Sequence, residues 1–169
     1  MKFAALLLAF ASTLVGCARD AAPSAPPKIT GHDPVSAVSI DDAEMNRAME
    51  RARLSLDEFD SRLQHPPARQ QDIGLKGRFE ADGEVEHLWI SGVHLESDGY
   101  HGVLQNEPQI ISRLKMGDAV VIPRDRVSDW FAIEDGHLVA GYTMRLFHDR
   151  MPPEERKHFD ETAGFTIDD

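Results

Sequence analysis

Eight histidines, 29 acidic residues, two tryptophans and a single cysteine are the groups through which this sequence could do chemistry. His87, His94 and His101 stand seven apart, which invites a metal. On a strand, seven is an odd step and sends His87 and His94 to opposite faces, so a shared ion needs a bulge, with Gly92 the place for it. No His-Glu-x-x-His motif and no cysteine pair is present, and no metal or other cofactor is expected. A Gly-x-Ser-x-Gly elbow and a Gly-rich phosphate loop are also missing, so no catalytic residue is assigned. Pairs such as Glu84/Glu86 and Asp168/Asp169 read as solvated charge. Asn106-Glu107-Pro108 falls where a strand ends. Pro108 pushes Glu107 toward extended geometry, and Asn106 is suited to holding local backbone. The alternative is a carboxylate and an amide presented at the sheet's end.

Cys17 closes the run Leu14-Val15-Gly16-Cys17, behind Lys2 and an uncharged, mostly apolar stretch from Phe3 to Val15. That stretch fits a secretory signal and is too short to span a bilayer. The segment resembles the lipobox signal of bacterial lipoproteins. The resemblance implies a cut before Cys17, acylation of its thiol and amine, and anchoring to a membrane through those chains. Ala18 in the next position resembles the outer-membrane default. With the thiol consumed, disulfides and thiolate chemistry are excluded. Residues 18–38 carry four prolines and five alanines and read as a linker. The expected organisation is a signal over 1–16, a lipidated Cys17 with its linker over 17–40, and a domain over 41–169. A formal charge of −11 argues against nucleic acid as a partner, because phosphate binding rests on Lys and Arg.

The elements that must position these residues follow from periodicity. Met45, Ala48, Met49, Ala52, Leu56, Phe59 and Leu63 make one apolar stripe at helical spacing. Asp41 and Asp42 supply the N-terminal cap, Ser55-Leu56-Asp57-Glu58 matches a capping box where the helix can restart, and Pro66-Pro67 ends it. Strands follow, punctuated by Asp82-Gly83, Asp98-Gly99 and Asp135-Gly136. The expected segments are 73–80, 84–95, 100–104, 119–122, 127–134 and 137–144 or a little further. Pro152-Pro153-Glu154-Glu155 opens a short last helix. The order predicts an α+β fold, with an N-terminal amphipathic helix packed on a curved, mainly antiparallel sheet of about five to six strands and a short C-terminal helix.

The Asp135-Gly136 hairpin is the most determinate. A two-residue loop pairs Glu134 with His137, Ile133 with Leu138 and Phe131 with Ala140. Continued, the register sets Asp129 opposite Tyr142 on the same face, and Trp130 opposite Gly141 on the other. An Asp in that row needs partners, the Tyr142 hydroxyl or a backbone N–H. Gly141 would leave room for the Trp130 indole.

Several motifs in order then look familiar: Met45-x-x-Ala48-Met49-x-x-Ala52-Arg53, Glu86-His87-Leu88-Trp89-Ile90, Asp98-Gly99-Tyr100-His101-Gly102, Asn106-Glu107-Pro108, Lys115-x-Gly117-Asp118, Asp129-Trp130 and Gly141-Tyr142-Thr143-x-Arg145. Together, over about residues 43–167, they resemble the YegJ-like family of bacterial domains, which brings no established activity. Two readings of function stand. One is a lipid-anchored, non-catalytic binding module of the cell envelope, on the periplasmic face of the outer membrane, with an envelope protein or wall polymer as partner. The other is an envelope hydrolase using carboxylates and a histidine near the sheet's end. The candidate binding surface is His87, Trp89, Glu107, Trp130 and Arg145, with Asp129 and Tyr142 as structural polar groups. Against that surface stands burial of Trp130 under the N-terminal helix.

Overall fold

A computed structural model describes residues 42–168. Cys17, its signal, the linker and Asp41 lie outside the described residues. Helices α1 (Ala43–Leu54) and α2 (Leu56–Gln64) are one amphipathic run broken at Ser55. Asp42 caps α1, its carboxylate accepting from the N–H groups of Glu44 and Met45 at 3.1 and 3.0 Å. The run restarts at Leu56, as the capping box predicts, yet the Ser55 hydroxyl makes no cap. It lies 3.0 and 3.1 Å from the carbonyls of Arg51 and Ala52, to which it can donate, and accepts the Trp130 indole N–H at 2.8 Å. Met45, Ala48, Ala52, Leu56 and Phe59 of the stripe are buried.

Six strands form one antiparallel sheet: β1 (Gln70–Ala81), β2 (Glu84–Glu96), β3 (Gly99–Leu104), β4 (Ala119–Ile122), β5 (Val127–Glu134) and β6 (His137–Ala140). Their order is β4-β3-β2-β1-β5-β6, with the two ends unjoined. The expected α+β architecture is therefore present. Two glycines of β1 keep its neighbours close. A Cβ on Gly74 would stand 2.5 Å from the Phe131 ring, and one on Gly77 would overlap Ile122 on the opposite face. The β5–β6 register is the one the Asp-Gly turn dictates, Glu134 with His137 through Phe131 with Ala140.

That register does not continue. β6 stops at Ala140, and the residues expected to extend it form helix α3 (Tyr142–Arg150). Ala140 and Gly141 both have positive φ, 54° and 64°, which turns the chain out of the sheet. Gly141 does not make room for Trp130. A Cβ there would meet the Leu138 side chain at 2.8 Å, while the Gly141 N–H donates to the Trp130 carbonyl. Helix α4 (Pro153–Thr162) follows. The last residues then run beside β6, with Leu138 N–H on the Thr166 carbonyl and Thr166 N–H on the Gly136 carbonyl, each at 2.8 Å.

The sheet has a buried layer on each side. Under α1 and α2 lie Leu75, Leu88, Ile90, Tyr100, Leu104 and Trp130, packed on Phe59. On the other side Trp89, Phe131, Ile133 and Leu138 pack against Met144, Phe165 and Ile167.

Candidate functional site

The structure separates the residues that the sequence groups as a binding surface. Trp130 is fully buried on the helix-covered face, its ring 5.5 Å from that of Phe59. Trp89 is buried on the opposite face, edge-on to Phe131 at 5.2 Å. The two indoles form no common aromatic surface, and Trp130 is core. Arg145 clamps the backbone. Its guanidinium donates to the carbonyls of Ala140, Leu138 and Asp168 at 2.8, 2.6 and 2.7 Å. Glu107 is exposed and accepts the Met116 N–H at 3.2 Å, while Asn106 accepts the Trp89 N–H at 2.8 Å. Turn chemistry thus employs both residues.

Asp129 is completely buried and makes a network that no local pattern reveals. Its carboxylate accepts the N–H groups of Tyr142 and Thr143 at 3.0 and 2.8 Å and the Thr143 hydroxyl at 2.6 Å. A strand residue thereby caps the first turn of α3, in place of a cap from the helix's own leader. The Tyr142 hydroxyl plays no part in this, and its ring packs on the helix-side core with the Arg51 guanidinium 4.9 Å above it. Burial pushes the Asp129 carboxyl up, and the Thr143 hydroxyl, the Lys76 ammonium and backbone N–H groups oppose that shift. Glu86 is a second buried carboxylate spent on backbone. It accepts the N–H groups of Gln109, Ile110 and Ile111 at 2.7, 3.2 and 3.1 Å and so holds the loop after β3.

The face away from α1 and α2 carries the remaining polar groups. Lys76 is buried there, its ammonium 5.2 Å from the Trp89 ring and 5.7 Å from that of Phe147. His87 pairs in register with Arg78. Burial, with the nearby charges of Lys76 and Arg78, brings its imidazole down to about 4, so it is neutral at pH 7. Beyond His87 the strand bulges. The β2–β3 register shifts between Ser91 and His94, and Gly92 has φ +61°. The bulge foreseen at Gly92 exists and resets the parity, but its consequence is a different pair. His94 stands directly across from His101, ring centroids 5.3 Å apart.

Glu96 lies two residues along the strand on that face, its oxygens 3.2 Å from His94 Nε2 and 3.8 Å from His101 Nε2. Asp98 reaches the same His101 nitrogen at 2.7 Å and, with Glu96, pushes its imidazole up from the ordinary value. The pairing arithmetic that sets Glu134 opposite His137, applied to the Asp98-Gly99 turn expected from the sequence, would set His94 opposite Val103. The structure instead places the two-residue loop at Ser97-Asp98, which sets Glu96 opposite Gly99 and His94 opposite His101. Beside the cluster runs an exposed apolar strip, with Val103 and Val121 each 39% exposed. With Gly92, Gly102, Ala119, Val120 and the two histidines these valines line a shallow depression of about 260 Å³. β4, at the end of the sheet, flanks it.

A relative from Escherichia coli K12, the uncharacterized protein YegJ, is 26% identical over 115 residues, covering 68% of this chain and 74% of that protein. A second relative, named "Putative ankyrin repeat protein", comes from Neisseria meningitidis serogroup B. It is 32% identical over 136 residues, 76% of this chain. The chain covers 54% of that protein's length, about half of it. No solved structure matches the chain. The family model described as "Uncharacterized protein conserved in bacteria (DUF2314)" matches residues 42–167, from the cap of α1 to the segment beside β6, and the chain belongs to that family.

Proposed function

We propose that this chain is a lipid-anchored protein of the bacterial cell envelope, tethered through Cys17, whose domain binds another envelope protein and catalyses nothing itself. The anchor rests on the signal-like segment ending at Cys17. The binding reading rests on one observation, the unequal treatment of the two sheet edges. β6 is shielded by the chain's own Thr166 segment. β4 ends the sheet on the other side, beside the exposed valines at 103 and 121. An edge strand whose outer backbone groups have no partner among the described residues, with an apolar flank, suits an extended segment of a partner protein, added as a further strand. The hydrolase reading loses support because the carboxylates and the histidine it needs are employed elsewhere. Glu107 holds the Met116 N–H, and His87 is largely buried in β2, with the charges of Lys76 and Arg78 nearby.

Two measurements test the reading. Cys17→Ala should leave unprocessed precursor or a soluble form. Unchanged membrane retention with unchanged mature mass removes the anchor. A photo-crosslinking residue at position 121, in the native envelope, should label one discrete protein. The same residue at Glu58, on the exposed face of α2, should not. Equal labelling from both positions defeats the edge-binding reading.

A further inference from the structure

We propose that His94, Glu96 and His101 form a binding site for one divalent transition-metal ion of the Zn²⁺ class. Each residue offers one ligand atom, and the three atoms lie within 4.8 Å of one another. An ion about 2.0–2.2 Å from each ligand atom needs those atoms about 3.4 Å apart, so it would draw these partly or largely exposed side chains together by small rotamer shifts. The backbone sets this arrangement. The bulge at Gly92 brings His94 into register with His101, and the two-residue step from His94 to Glu96 returns the carboxylate to the same face. Two register pairs around a tight hairpin set where all three side chains start, and the ion has their rotamers left to order.

The outer shell is partly in place. His94 Nδ1 lies 3.5 Å from the Gly92 carbonyl, on the side where a ligating histidine usually places its second ring nitrogen against an acceptor, leaving Nε2 to the ion. Asp98 stands against His101 Nε2 at 2.7 Å, so an ion that takes this nitrogen displaces Asp98 or takes it as a fourth ligand. Two imidazoles and a carboxylate select Zn²⁺, Ni²⁺, Co²⁺ or Cu²⁺ over Mg²⁺ and Ca²⁺, which prefer oxygen alone. Three protein ligands leave a tetrahedral ion one open position. This assignment revises the expectation of no metal, and it stands independently of the partner reading above.

The test uses the mature full-length chain carrying Cys17→Ser, so that a free thiol does not compete. Zn²⁺ and Co²⁺ are titrated separately, by calorimetry and by visible absorption of the cobalt form. One ion per chain should bind saturably, and Zn²⁺ should raise the melting temperature. His94→Ala and His101→Ala should each weaken binding by more than about tenfold and abolish that thermal shift. His158→Ala, on α4, should change neither. These positions are partly or largely exposed, so the variants fold, and their circular dichroism checks it. Absence of saturable binding in the parent overturns the site. So does an affinity left unchanged by both histidine substitutions.

Discussion

The two tryptophans lie on opposite faces of one sheet and are packed by different means. Around Trp130 the neighbours are apolar or aromatic, Phe59 and the strand residues Leu75 and Ala132, and the one polar demand of the indole is met by Ser55. Around Trp89 the layer includes a buried ammonium, and Asp129 adds a buried carboxyl on the same side, bonded to Thr143 and to backbone N–H groups. The first face is closed along its length by a helical stripe adjacent in sequence. The second is closed over β5 and β6 by α3 and the last residues, and is open over β3 and β4. One face therefore supplies stability mainly through burial, with its few polar atoms paired. The other mixes stability with charge, and its uncovered part holds the histidine cluster and the exposed valines.

Trp130→Ala is the strongest way to break this contrast. Removing a fully buried indole should cost about 3–5 kcal/mol, read by urea unfolding followed by circular dichroism. A melting temperature that barely moves would mean that the helices do not depend on this ring and that the helix-covered face is not the main core. Asp129→Ala comes next, at about 2–4 kcal/mol, because it strands the N–H groups of Tyr142 and Thr143 and the Thr143 hydroxyl. Asp129→Asn should recover part of the loss, since an amide oxygen still accepts one of those donors. Equal stability for Asp129→Ala and the parent would show that α3 needs no cap from β5.

The same contrast explains what the sequence reveals and what it hides. The stripe from Met45 to Phe59 and the register of Glu134 with His137 are local patterns, and each is present as read. The burial of Trp130 depends on Ser55, 75 residues away, and parity alone could not say which face the helices cover. The start of α3 was misread as strand because its cap comes from β5. A capping acceptor 13 and 14 residues upstream leaves no N-cap signature beside the helix. Glu107 and Arg145 looked free because the sequence does not display their backbone partners. The His94–His101 pair is hidden as well, because the sequence marks Asp98-Gly99 as the turn, whereas the loop is Ser97-Asp98 and Gly99 already pairs with Glu96.

The last test concerns His87, where burial and charge on the open-sided face meet. Its imidazole ionises near 4 in the fold and near the ordinary 6.5 when unfolded, because burial and the cations of Lys76 and Arg78 oppose a proton there. Between those values the unfolded chain binds the proton and the folded chain does not, so stability rises with pH. The contribution is present above about 6.5 and is lost as pH falls through about 4. The full shift would correspond to roughly 3 kcal/mol, and the partly exposed ring reduces this to about 1–2 kcal/mol. Asp72 and Asp129, whose carboxyls burial pushes up, act with the opposite sign, losing their contribution as pH rises through their folded values. The parent profile alone therefore does not isolate the histidine. The difference between the parent and His87→Gln does, since glutamine fills a similar volume without titrating. That difference should shrink in magnitude or change sign from pH 7 to pH 4, with the variant gaining on the parent as acid is added. A difference independent of pH across that range would mean that His87 is solvated and that the charge of Lys76 does not reach it. The second face would then resemble the first more closely than its composition implies.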